Sequence, residues 1–139
     1  IRPQLIAPAI DLTLAQRLVR KLCPKCKKLI KATTEEMAKL KVVLGPIRDR
    51  FELPSFNGPL ELYIADKCSE CTFSGYKDRI GIYEAFVVSQ GIERLILTSP
   101  PMSAIEETAI AEGMITITQD AYLKVLKGVT SLEEVDRIL

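Results

Sequence analysis

At 139 residues, 47% hydrophobic and 27% charged, the chain has the size and composition of one ordinary globular domain or two small modules. A net charge of +1 argues against a dedicated nucleic-acid binder, and no apolar run approaches the roughly 20 residues that span a bilayer. The absence of histidine excludes Ser-His-Asp and Cys-His centres. The chain opens on Ile1 and reads as a piece of a longer protein.

In chain order, Pro3 and Pro8 keep the start extended. Ala15, Leu18, Val19 and Leu22 follow the i, i+3, i+4, i+7 spacing of one buried face, which predicts a helix from about Pro8 to Leu22 that delivers Cys23 at its end. From Leu12 to Thr34 there is no acidic residue, while Arg17, Arg20, Lys21, Lys25, Lys27, Lys28 and Lys31 are basic. This stretch reads as a solvated face that offsets charge at a thiolate cluster, in preference to a phosphate-binding patch.

The cysteines form two pairs, Cys23-Pro-Lys-Cys26 and Cys68-Ser-Glu-Cys71. A C-x-x-C turn lets two thiolates of one turn bind the same ion, and two such turns make a closed tetrahedral four-sulfur site, the usual structural zinc arrangement. No other cysteine is present, so Cys23, Cys26, Cys68 and Cys71 are the candidate Zn2+ ligands. The pairing suits a metal in a reducing compartment better than a disulfide scaffold.

The 41 residues between the pairs hold a helix, a loop and a strand. Thr33 and Glu36 form a capping box for a helix over residues 34–44, with Met37, Leu40 and Leu44 on its apolar face. Gly45 is expected as its left-handed cap, with Pro46 blocking continuation. After a loop closing on Asn57-Gly58-Pro59, Leu60, Leu62 and Ile64 alternate as a half-buried strand. Residues 80–88 are the best strand candidate, with Glu84 an intruder on the apolar face and expected to make a salt bridge. The remainder reads as short helices. One carries Ile92, Leu95 and Ile96 and stops at Pro100-Pro101. A Ser103/Glu106 capping box opens the next, which ends at Gly113. Thr118 caps a third that ends at Gly128, and a Ser131/Glu134 box opens the last. Short helices on short links predict an antiparallel bundle.

No phosphate loop of the form G-x-x-x-x-G-K-[ST] is present. The paired carboxylates Glu106-Glu107 and Glu133-Glu134 fall in first helical turns, where they complement the helix dipole without chemistry. Two other function classes fit parts of the sequence: a nucleic-acid-binding zinc domain using residues 17–31, and a thioredoxin-type redox motif at Cys23-Pro-Lys-Cys26, which here is expected to follow a helix where that motif follows a strand.

Three segments in order, LIAPAIDLTLAQRLVRKLCPKCK, GYKDRIGIYE after the second cysteine pair, and EGMITITQDAYLKVLKGVTSLEEV, resemble the C-terminal part of the type II secretion and type IV pilus assembly ATPases. The resemblance implies a parent that is a hexameric cytoplasmic motor binding ATP and Mg2+ at the inner membrane, with its phosphate loop outside this segment. It implies an α+β, mainly α fold. Residues 1–22 would end the ATPase core, residues 23–77 would form a tetracysteine zinc-binding subdomain with short strands, and residues 78–139 would add a strand and a C-terminal helical subdomain. Neighbouring subunits and the inner-membrane platform protein are the implied partners, with membrane association only through them and no nucleic acid. The segment alone is expected to be inactive.

Overall fold

A computed structural model describes residues 2–139. The elements are α1 (Pro3–Ile6), a 3-10 turn (Ala7–Ala9), β1 (Leu12–Leu22), β2 (Lys28–Lys31), α2 (Thr34–Leu44), a 3-10 helix (Gly45–Arg50), β3 (Glu61–Ile64), a 3-10 turn (Ser69–Cys71), β4 (Tyr76–Val87), α3 (Gln90–Leu97), α4 (Met102–Ala111), α5 (Ile117–Leu126) and α6 (Leu132–Ile138). The class is α+β, with the strands in two small two-stranded sheets: β1 pairs β4, and β2 pairs β3 antiparallel with Ile30 opposite Leu62. No helix among the described residues is long and apolar enough to cross a membrane.

The chain divides into two compact units, residues 1–16 with 83–117, and residues 17–82 with 118–139. In the first, Ile92, Ala109 and Met114 form a buried cluster against Phe86, Val88, Ile96 and Ile105. In the second, Val19, Leu40, Leu44, Ile82, Val125 and Val135 are almost fully buried. Thus α3 and α4 belong to one unit, and nearly all of α5 and α6 to the other.

Local chemistry accounts for several element ends. Thr33 and Glu36 make the reciprocal capping box of α2. Ser89 caps α3 by accepting from Ile92 N. Helices α4 and α5 both end in Schellman motifs. Met114 N and Gly113 N donate to Ala109 O and Ile110 O, and Val129 N and Gly128 N donate to Lys124 O and Val125 O. Gly113 and Gly128 take the left-handed φ this requires, 105° and 64°.

Seven sequence expectations are corrected. The lead-in expected to be extended is helical, as α1 and the 3-10 turn, with Pro3 and Pro8 in first turns where a missing N–H costs no hydrogen bond. The helix expected over residues 8–22 is the strand β1: Val19, Leu22 and Cys23 are buried, but Leu18, which the helical pattern places beside them, is half exposed. Pairing with β4 overrides the helical propensity of this stretch. Gly45 is right-handed, with φ −52°, so the chain tightens into the 3-10 helix in place of a left-handed cap. Helix α4 starts at Met102 with Pro101 as its N-cap, which leaves Ser103 inside the first turn. Thr118 likewise lies inside α5, whose Ile117 N donates to Glu84 Oε2 at 3.0 Å; Glu84 serves a backbone donor at a helix start, in place of the expected salt bridge. Ser131 does cap α6 through Glu134 N, but the Glu134 carboxylate turns to Arg20 and Arg137 in place of closing the box.

Candidate metal centre

The first cysteine turn begins where β1 ends. Cys23 N donates to Gly75 O at 3.0 Å, and the turn closes as Cys26 N and Lys27 N donate to Cys23 O at 3.4 and 3.0 Å. The second turn is the 3-10 segment after Cys68, in which Phe73 N donates to Cys68 O and Ser74 N to Cys71 O. Its exit is left-handed at Thr72, Phe73 and Gly75. At Gly75 a side chain has no room, since a Cβ would lie 2.7 Å from Ala65 Cβ and 2.9 Å from Asp66 O. The Gly75 N–H points instead at Cys71 Sγ, 3.2 Å away.

These turns bring together all four cysteines singled out in the sequence, with every pair of Sγ atoms within 4.8 Å. Cys23 and Cys68 are 3.8 Å apart, Cys26 and Cys71 3.7 Å, and Cys68 and Cys71 3.6 Å. Metal–sulfur bonds of about 2.3 Å in a regular tetrahedron put the sulfurs about 3.8 Å apart, so the observed spacing fits a four-coordinate ion. A disulfide needs about 2.05 Å, and all four thiols are free. Cys23 and Cys71 are buried, and Cys26 and Cys68 are partly covered. The set could hold one thiophilic cation.

The thiols shift one another in opposite directions. Burial pushes the Cys71 thiol up, but hydrogen bonds with the Cys68 and Gly75 backbones and with the Cys68 and Cys26 thiols outweigh it and draw it down to about 6. Cys26 moves up, through burial first and then through hydrogen bonds with Cys68, Cys23 and Cys71. Four adjacent sulfurs do not all ionise without a cation among them, so protons stay on some at the expense of others.

Four of the seven basic residues in the acid-free stretch have partners within the chain, those of Arg17 and Lys28 at the surface. Arg17 Nη1 donates to Ile138 O at 2.7 Å. Arg20 binds Glu134 and stacks 4.1 Å over the Tyr76 ring. Lys27 Nζ donates to Gly128 O at 2.9 Å and lies 4.2 Å over the Tyr63 ring. Lys28 pairs with Asp66. Sequence reasoning missed these partners. Gly128 and Glu134 lie more than a hundred positions from Lys27 and Arg20, and no local pattern announces them.

A sequence model of the family described as "Type II/IV secretion system protein" matches residues 1–137. The chain is 37% identical over 138 residues to the type II secretion system ATPase E of Vibrio cholerae, an alignment covering 99% of this chain and 25% of that protein. It is 34% identical over 133 residues to the type IV pilus assembly ATPase PilB of Pseudomonas aeruginosa, covering 96% and 22%. Against PilB of Myxococcus xanthus the identity is 31% over 135 residues, covering 97% and 22%. The chain therefore spans about a quarter or less of the length of these relatives. With its cysteine cluster and a family match over residues 1–137, the chain belongs to the type II/IV secretion system protein family.

Proposed function

We propose that this chain is a zinc-stapled, non-catalytic region of a motor that hydrolyses ATP to drive type II secretion or type IV pilus assembly. The observation that carries the reading is the four-sulfur cluster, with three Sγ pairs 3.6–3.8 Å apart and all within 4.8 Å, inside a family whose relatives are named as ATPases. Bound zinc would supply a closed thiolate cross-link between the Cys23 and Cys68 turns, without an open position for chemistry. The residues of the chain do the rest. Gly75 N–H holds the Cys71 sulfur, and the Cys23 backbone ties one turn to the other.

The ATP and Mg2+ sites belong to the parent protein, since residues 1–139 contain no phosphate loop. The parent is a cytoplasmic hexamer at the inner-membrane face. This region docks on neighbouring subunits and on the membrane platform protein. The nucleic-acid reading loses support because Arg20 and Lys27 are held in part-buried contacts with Glu134 and Gly128. The test is zinc uptake by the reduced chain together with an ATPase assay: zinc binding without ATP hydrolysis supports the reading, and ATP hydrolysis by residues 1–139 alone contradicts it.

A further inference from the structure

Two cationic side chains bracket the first cysteine pair, Arg20 three residues before Cys23 and Lys27 one residue after Cys26, and both reach into the segment 128–134. The Lys27 backbone closes the cysteine turn on Cys23 O, while its ammonium is bonded to Gly128 O and seated over Tyr63. Arg20 grips Glu134 through its backbone N–H at 3.0 Å and its guanidinium at 2.6 Å. The second turn is tied to the same segment. Tyr76 follows Gly75, whose N–H bonds Cys71 Sγ, and the Tyr76 hydroxyl meets Ser131 Oγ at 2.7 Å. Two further bonds run alongside, Leu22 N to Val129 O and Thr130 Oγ1 to Arg20 O, each 2.8 Å.

We infer that Lys27 and Arg20 are positioning residues that couple metal occupancy at the cysteine cluster to the order of residues 128–137. The inference rests on the metal reading above. An ammonium fixed on one carbonyl and one ring keeps that place only while the turn carrying it is fixed, because its side-chain freedom must otherwise be surrendered at a cost. An ion that orders the turn therefore orders the C-terminal segment. Coupling of this kind is reciprocal, so loosening the far end must weaken the metal by the same factor. A purely local staple has no such property.

The test measures zinc affinity, by competition with a chromophoric chelator, in the 139-residue chain and in its Lys27→Met and Glu134→Gln variants. Hydrogen exchange over residues 127–139 is read in the same samples. Neither substituted side chain bonds a sulfur. The coupling predicts zinc affinity lower by on the order of tenfold in each variant. It also predicts faster exchange across residues 128–134 in Lys27→Met while zinc is still bound. Affinities within about twofold of the parent chain, the scatter expected of independent sites, overturn the coupling and leave the metal reading intact. A parent chain that takes up no zinc removes both. If Glu134→Gln does not fold, Lys27→Met decides the question alone.

Discussion

Arg20 and Glu134 lie 114 positions apart in sequence and meet through three hydrogen bonds, from the Arg20 backbone N–H, Nε and Nη2, at 3.0, 2.9 and 2.6 Å. The carboxylate is buried at 1% exposure, and Arg137 donates to it from the other side. Replacing Glu134 with Ala leaves two guanidinium groups facing an emptied site. The expected loss is roughly 3 kcal/mol, the low end for breaking a buried pair, because the Arg20 side chain keeps 38% of its exposure. Urea unfolding of the variant beside the parent chain measures it, and a loss below about 1 kcal/mol would place the pair among ordinary surface ion pairs.

The same carboxylate sets a pH dependence. Burial, the largest influence, opposes its ionisation. Hydrogen bonds from Arg137 and Arg20 outweigh burial and hold it at about 2, below the ordinary 4.5. Between those values the unfolded chain binds a proton that the folded chain does not, so stability rises with pH there. The contribution is complete above about 4.5 and fades as pH falls toward about 2. The stability difference between the parent chain and Glu134→Gln should shrink across that window, and a difference that stays constant there contradicts the assignment.

Gly128 is required twice over. Its φ of 64° disfavours any side chain, and a Cβ would overlap the Tyr63 ring. Gly128→Ala should destabilise by about 1–3 kcal/mol. Adding Tyr63→Ala should recover the steric part only, so the two substitutions should not be additive in thermal unfolding. Full additivity would mean that the ring and the glycine are not in contact.

Glu84→Ala should cost about 1 kcal/mol, the usual worth of a helix N-terminal cap, since it strips the acceptor from Ile117 N. Glu84→Gln keeps an acceptor oxygen and should retain most of that stability. Equal losses for the two variants in urea unfolding would argue that the charge matters and the hydrogen bond does not.

What the sequence revealed depended on how local each signal was. The capping box at Thr33 and Glu36 and the terminal glycines Gly113 and Gly128 are short-range chemistry, and the structure contains them. The cysteine pairs were legible for the same reason, since a C-x-x-C turn is one turn long. Strand β1 was not legible. Its buried Val19 and Leu22 satisfy a helical spacing as well as a strand that is covered only near one end, and its pairing with β4 is a long-range fact. Glu84 stands out in the sequence as a polar residue on an apolar face, whereas Glu134 reads there as a local capping and helix-dipole carboxylate. Their partners, Ile117 N, Arg20 and Arg137, could be assigned only once the chain had folded.

Metal content per chain, measured by elemental analysis on protein kept reduced, with circular dichroism before and after a strong chelator, tests the central claim most directly. The account predicts one zinc ion per chain and loss of structure on chelation, because a structural four-cysteine zinc contributes about 10–16 kcal/mol against a whole-domain stability of about 5–15 kcal/mol. A reduced, folded chain that carries no metal and is unmoved by the chelator would contradict it.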